Sequence, residues 1–486
     1  MSLDTLIRGV PDRGVNGDVQ PHDNLAHARR LRRGSNRCAP PWWRDLAGIL
    51  AWLSVFIVVA LWVTNCGVQS IGWSSEGFTS LGRLCGLLAA DLLLILVLMM
   101  ARIPFVERSF GQDELSRRHR ILGFVSFDLL MAHIVLVLLG YAASSRQGML
   151  AQLWSLLSTY PGMWLALMGV GALVIVVITS IRYARKKLRY EAWHVLHLYA
   201  YAGVGLAWPH EVATGTDFVI STVARTYWWV LWWAATLSIL IYRVALPVWR
   251  SWRHRLIVSR VVWEAPDVVS VHLTGRALRR MRLTAGQFMF WRFLDGPDWL
   301  QGHPYSLSAA PTGDRLRITV KGVGDAYDRL ARLRPGTRVL VEGPYGRLTA
   351  AVRTRRKVTM IASGIGITPI RALLEELEYE PGDATLIYRA SSTDDLVFRE
   401  ELEEMAGVRG IRVFYVIGPR MSGRRSWLPA ATAGWSDSAV LLRLVPDIAG
   451  HDVYICGNDA WMATVQEAVV EAGTPADNVH TERFDW

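Results

Sequence analysis

Six windows of roughly 18 or more mostly apolar residues, near 45–64, 84–101, 120–141, 163–181, 192–209 and 227–248, crowd the first half of this 486-residue chain. Each is long enough to cross a hydrocarbon layer of about 30 Å as a helix rising about 1.5 Å per residue. A lipid-exposed segment must satisfy its backbone N–H and C=O groups within itself, so residues 42–250 are predicted to be an all-α bundle of six membrane spans. Beyond about residue 255 the apolar runs shorten, alternate with charged residues and are broken by Gly, Pro and Asp, as in a water-soluble part.

Positive charge near a span resists translocation, so the basic loops report orientation. Arg29, Arg30, Arg32, Arg33, Arg37 and Arg44 precede the first span. The second loop carries Arg102, Arg108, Arg117, Arg118 and Arg120, and the fourth carries Arg182, Arg185, Lys186, Lys187 and Arg189. The other loops hold only Arg83, Arg146 or Arg225. A multi-pass cell-membrane protein with both termini in the cytoplasm is expected. Its formal charge of +11 is then explained by topology and membrane lipid, and nucleic acid is not an expected partner. Cys38, Cys66, Cys85 and Cys456 are scattered without metal-ligand spacing, so no disulfide framework follows. Residues 1–41, polar and rich in Arg, Gly, Asp and Asn, read as a disordered cytoplasmic tail rather than a cleaved signal.

Histidines inside apolar spans demand a reason, because ionisable groups there are costly. His119 and His133 of the third span lie 14 residues apart, about 21 Å of rise and nearly four whole turns. His197 and His210 of the fifth span lie 13 apart, about 20 Å. Both spans run in the same direction, so His119 pairs in height with His197 near the inner side and His133 with His210 near the outer side. Neutral imidazole is an axial ligand for haem iron, and the porphyrin supplies the other four bonds, so two stacked b-type haems are expected. Thirteen residues leave His210 off the face of His197 on a straight helix, and a kink or bulge at Pro209 is needed to swing it round. His194, three residues from His197, is an alternative ligand.

The soluble part reads as two domains. Alternating runs such as VVSVHL, LRITVKG and TRVLVEGPYG over 255–350 predict an antiparallel β-barrel. Over 351–486, KVTMIASGIGITPIRALLEEL is a buried strand, a glycine-rich turn and a helix, and further strands follow at ATLIYRAS, IRVFYVIG and HDVYICG. That pattern predicts a doubly wound α/β sheet. Gly364 and Gly366 let backbone approach a ligand, and the next helix aims its first amides where a pyrophosphate would be stabilised. Pro369 stands where the common dinucleotide fingerprint has a third glycine.

HPYSLS at 303–308, then VKGVGDAYDRL, VEGPYG, SGIGITP and YICGNDAWM in this order, resemble the ferredoxin–NADP reductase type of flavoprotein. Joined to a histidine-bearing six-span domain, the chain over about 45–486 resembles the ferric reductase and NADPH oxidase superfamily. The resemblance implies FAD held by His303, Pro304, Tyr305 and Ser306, with Tyr305 packed on the isoalloxazine and Ser306 near its reactive nitrogen. It implies flavin pyrophosphate at Lys321, Gly322 and Gly324, nicotinamide nucleotide at Gly364, Gly366, Thr368 and Pro369, and Cys456 with Gly457 beside the nicotinamide. Trp486 would cover the flavin until nicotinamide displaces it, so Ser306, Cys456 and Trp486 form the implied catalytic set. Arg389 and Ser391 follow the second nucleotide-domain strand, where a 2′-phosphate would lie, which favours NADPH; Asp394 and Asp395 keep NADH open. Together these imply electron transfer from NADPH through FAD and two haems to an extracytoplasmic acceptor: ferric iron, oxygen or a redox partner. The alternative is a membrane-anchored flavoprotein reductase that serves a cytoplasmic carrier without haem.

Overall fold

The apolar windows become long helices in a computed structural model that describes residues 7–9, 41–188, 190–296, 301–322, 325–421, 423–432 and 434–482. The membrane half contains α1 (Pro41–Thr64), α2 (Ser75–Met100), α3 (Gln112–Ser145), α4 (Met163–Ser180), α5 (Tyr190–Thr214) and α6 (Thr222–Ile239). A π-helical turn at Leu240–Ala245 leads from α6 into α7 (Leu246–His254). Five helical stretches, Trp42–Thr64, Ser75–Met100, Glu114–Ser145, Met163–Ser180 and Thr222–His254, are long and apolar enough to cross a membrane. This differs from the six expected. At 25 residues α5 has the length, but His194, His197, His210 and the Trp and Tyr residues among them dilute its aliphatic content.

Glycines set how closely these helices pack. A Cβ on Gly82 of α2 would lie 2.7 Å from the Val137 side chain of α3, and one on Gly169 of α4 would lie 2.8 Å from the Gly203 carbonyl of α5. Such positions admit no side chain, so α2 lies close along α3 and α4 along α5. Two hydroxyls reach one oxygen of a carboxyl inside the bundle, while its Oδ2 is buried without a partner among the described residues. Ser54 of α1 and Tyr227 of α6 donate to Oδ1 of the fully buried Asp91 of α2 at 2.6 and 2.8 Å. Asp217 accepts from Asn65 at 2.7 Å and pairs with Arg83 at 2.9 Å. Dispersed polar groups thus tie together helices whose apolar surfaces alone specify little.

Ala39–Leu246 forms one compact unit and Pro247–Trp486, with the N-terminal strand, another. The second unit begins with the predicted antiparallel barrel. Its strands are β2 (Leu256–Ala265), β3 (Val268–Thr274), β4 (Phe288–Phe293), β5 (His303–Ser306), β6 (Arg315–Lys321) and β7 (Arg338–Tyr345), in spatial order β5-β4-β7-β2-β3-β6. Val269, Val271, Leu273, Trp291, Ile318 and Val341 fill its core.

The following strands, β8 (Lys357–Ser363), β9 (Ala384–Ala390), β10 (Arg412–Ile417), β11 (His451–Cys456) and β12 (Val479–Thr481), form a parallel sheet in the order β10-β9-β8-β11-β12. Around it lie α8 (Ile367–Glu376), α9 (Arg399–Arg409), α10 (Asp437–Leu444) and α11 (Asp459–Glu471). Apolar clusters on both faces explain why these strands read as nearly unbroken apolar runs. Strand order reverses between β8 and β11, the switch point at which such sheets take ligands. A further strand, β1 (Ile7–Gly9), runs antiparallel to β10 with Ile7 opposite Val416. Those residues belong to the tail expected to be disordered; the open amides and carbonyls of the β10 edge supply the partners that the tail's own composition lacks.

Candidate functional site

In the helical unit the four singled-out histidines meet in two pairs. The rings of His119 on α3 and His197 on α5 face each other with centroids 5.8 Å apart, and Trp193 stacks on His197 at 4.9 Å. His194 is exposed on the same helix, so of the two neighbours it is His197 that faces His119. His133 and His210 are electrostatic neighbours at the other level. Pro209 lies inside α5 immediately before His210.

Local bonds fix which nitrogen each ring of this second pair presents. His133 Nδ1 lies 2.8 Å from the Gly82 carbonyl, an acceptor only, so Nδ1 carries the proton and Nε2 the lone pair. His210 Nδ1 lies 2.8 Å from Thr214 Oγ1, whose hydroxyl donates back to the His210 carbonyl at 2.8 Å. One hydroxyl proton cannot serve both bonds, so this Nδ1 also donates and Nε2 is again the free base. In the first pair His197 Nδ1 is 3.4 Å from Ser180 Oγ, and His119 Nδ1 is buried without a hydrogen-bond partner among the described residues. Space is reserved as well, since a Cβ on Gly86 would lie 2.6 Å from His133 Nδ1. Among the described residues no three His, Cys, Asp or Glu side chains converge to hold a bare metal ion. Facing histidine pairs instead fit a group that brings its own equatorial ligands, and haem is such a group.

In the barrel, β5 pairs with β4 so that His303 faces Trp291 and Ser306 faces Phe288 in register. Trp291 Nε1 donates to the Tyr305 carbonyl at 2.9 Å, fixing the strand, and the His303 and Tyr305 rings stack with centroids 6.0 Å apart. Burial pushes the Tyr305 phenol well above its ordinary range, so it presents a neutral aromatic face. Ser306 is buried, and its Oγ has no hydrogen-bond partner among the described residues. An orphaned hydroxyl beside an aromatic ring fits a flat heteroaromatic group such as flavin, to which it would donate or from which it would accept.

A second cavity opens at the switch point, lined by Lys321, Ser363, Gly364, Arg389, Ser391, Asp395, Arg420, Ser426, Trp427 and Trp461. Gly364 has φ +55°, and a Cβ on Gly366 would lie 2.4 Å from the Cys456 carbonyl, so neither position tolerates a side chain easily. Thr368 Oγ1 donates to the Ile365 carbonyl at 2.9 Å, and Pro369 occupies the first turn of α8, where a missing N–H costs little. Burial opposes the charge of Lys321, but Asp395 at 3.2 Å and Asp267 at 3.4 Å outweigh it and hold the ammonium above its usual range. Asp395 also accepts from Ser392, which engages both of its oxygens. Cys456 is fully buried; desolvation, then the nearby Glu482 carboxylate, keeps it a neutral thiol. Gly457 abuts the Trp461 ring.

Arg389 is placed differently from its sequence reading. Although it lines the cavity, its guanidinium donates to the carbonyls of Ala390, Val416, Gly418 and Pro419. Burial first, then Arg420, lower its pKa to about 10. Arg420, on the loop after β10, is exposed and lines the same cavity as Ser391. Sequence reading missed it, and its signal was a basic residue just past the third parallel strand. Glu482 was missed too: its carboxylate accepts from the Arg347 and Leu348 amides at 2.9 and 3.2 Å, fastening the chain end to the barrel. Gly324 and Trp486 lie outside the described residues.

Residues 85–208 match the family described as "Ferric reductase like transmembrane component", residues 255–349 an FAD-binding domain and residues 360–467 an oxidoreductase NAD-binding domain. A ferredoxin–NADP reductase B of Sorangium cellulosum is 34% identical over 194 residues, covering 37% of this chain and 77% of that protein. The ferredoxin reductase component of 3-ketosteroid-9-alpha-monooxygenase from Mycolicibacterium smegmatis is 30% identical over 237 residues, covering 47% of this chain; the chain spans 64% of its length. Among solved structures, a flavohemoglobin from Malassezia yamatoensis with bound FAD and heme covers 81% of this chain and 98% of its own, at 19% identity and a TM-score of 0.39. The flavin and nucleotide module belongs to the ferredoxin–NADP reductase family, and a ferric reductase-like transmembrane component joined to it matches the architecture of ferric reductases and NADPH oxidases.

Proposed function

We propose that this protein carries electrons from NADPH, through FAD and two b-type haems, across the membrane to an acceptor on the far side. The observation that supports this reading is the pairing of four histidines across α3 and α5, with the rings of His119 and His197 facing each other and His133 and His210 electrostatic neighbours. When bound, NADPH supplies a hydride, FAD divides its two electrons, and haem carries them singly.

The chain's own residues position and tune rather than exchange protons. Gly82 and Thr214 hold the outer imidazoles with Nε2 as the free base. Ser306 offers a buried hydroxyl to the flavin, and Tyr305 a neutral face. Gly364 and Gly366 admit the nucleotide backbone, and Cys456 packs against the nicotinamide as a small neutral thiol. Arg420 and Ser391, rather than Arg389, meet the 2′-phosphate, and Asp395 is already engaged by Lys321 and Ser392. The acceptor itself, ferric iron, oxygen or a redox protein, is approached at the outer level of the bundle.

The test is the anaerobic absorption spectrum of the purified protein before and after NADPH. Haem bands that sharpen on NADPH addition support the reading. Flavin bleaching without haem, despite ample haem during expression, overturns it in favour of a membrane-anchored flavoprotein reductase.

A further inference from the structure

The last apolar helical stretch, Thr222–His254, is 33 residues long, about 50 Å at 1.5 Å per residue. The hydrocarbon core is only about 30 Å thick and the bilayer with its headgroups about 40–45 Å. The final turns of this stretch, which form α7, must therefore emerge into or past a headgroup layer. Their side chains divide accordingly. Ser251 and His254 face the barrel: Ser251 Oγ accepts from the Val341 amide at 3.1 Å, and His254 and Arg276 exchange bonds of 2.7 and 2.9 Å. Val248, Trp249 and Trp252 face outward, 63%, 49% and 66% exposed.

The segment bonded to the end of α7 is strongly basic. In the 3-10 turn Leu278–Met281 the apolar pair Leu278 and Met281 is buried, which forces Arg279, Arg280 and the following Arg282 outward beside Arg276. Non-glycine residues in the left-handed region close both ends, Ala277 at φ +53° and Arg282 at φ +52°, a conformation that costs energy and fixes the turn. None of these four arginines makes an ion pair among the described residues, and neither 240–263 nor 268–294 contains a single Asp or Glu.

We propose that the outward face of α7 and the 276–282 turn together dock the flavin barrel on the membrane surface, taking anionic phospholipid headgroups as their ligand. Tryptophan beside arginine is the composition of an interfacial helix, with rings at headgroup depth and guanidinium groups on phosphate. The face continues a helical stretch long enough to span a membrane, and its four arginines outnumber the neighbouring carboxylate, Asp314 beside Gly313, which favours anionic lipid over zwitterionic lipid.

The full chain reconstituted in phosphatidylcholine nanodiscs, with and without about 30% phosphatidylglycerol, tests this by hydrogen exchange. Peptides covering 248–255 and 276–282 are expected to exchange roughly fivefold or more slowly in the anionic discs, with the difference lost at high salt. The triple variant Arg279→Gln, Arg280→Gln, Arg282→Gln should abolish the difference while retaining its flavin absorbance. Equal exchange in the two lipids, for the unmodified chain, overturns the proposal whatever the variant does.

Discussion

His133 is held from one side by the Gly82 carbonyl, which leaves Nε2 as its unprotonated nitrogen, the one that the proposed haem would use. His133→Leu should therefore lower the haem-to-protein ratio from two toward one and stop reduction of an impermeant external acceptor, while NADPH still bleaches the flavin. A variant that reduces the external acceptor at the normal rate would show that His133 is no ligand. Ser306→Ala removes a hydroxyl with no partner of its own in the protein. A lost bond of this kind is worth about 1–3 kcal/mol, so stopped-flow flavin reduction should slow roughly tenfold to a hundredfold. Arg420→Ala should raise the KM for NADPH by about tenfold or more and leave that for NADH nearly unchanged, the discrimination expected of one charge-assisted phosphate contact. Arg389→Ala should instead destabilise the loop at Gly418 and Pro419 and impair both nucleotides alike. The sequence could not separate these two arginines, because a strand-end guanidinium looks free until the carbonyls of a neighbouring strand are seen to occupy it. His194 and His197 were equally inseparable one turn apart, until exposure distinguished them.

Helix and strand types were legible because their periods differ: continuous apolar runs gave the bundle, alternation gave the barrel, and short buried runs separated by helices gave the parallel sheet. What sequence periodicity could not supply was long-range pairing. The junction of barrel and nucleotide domain is the clearest case. Glu401 of α9 accepts from Arg317 of β6 at 2.7 and 3.0 Å and from Arg371 of α8 at 2.7 Å, linking residues far apart in the chain. Removing one partner of a largely buried ion-pair network leaves the others uncompensated and costs about 3–5 kcal/mol. Glu401→Ala should lower the melting temperature of the flavin and nucleotide module and slow hydride transfer together. Close by, burial raises Glu376, which accepts from the Ala285 amide of the barrel, to a pKa of about 7. A raised carboxyl pKa stabilises the fold fully below its unfolded pKa of about 4.3, and that stabilisation is lost as pH rises toward 7. Glu376→Gln should consequently melt higher than the unmodified protein at pH 8 and show little advantage at pH 4; equal shifts at both would deny the carboxyl this role.

At the scale of the whole molecule, the division into a membrane bundle and a soluble module was readable from composition alone, but the number of crossings was not. The fifth helix is the one that the proposed haem path needs, and its histidines and aromatics make it less apolar than its neighbours.

Strand β1 bears on the protein's solution behaviour. By covering Phe414–Val416 of β10 it closes much of the open row of backbone amides on that edge of the nucleotide-domain sheet, and an uncovered rim is a template for another chain. Trimming the first nine residues, a routine step in shortening a polar terminus, should thus yield a protein that retains its spectra yet self-associates through its sheets.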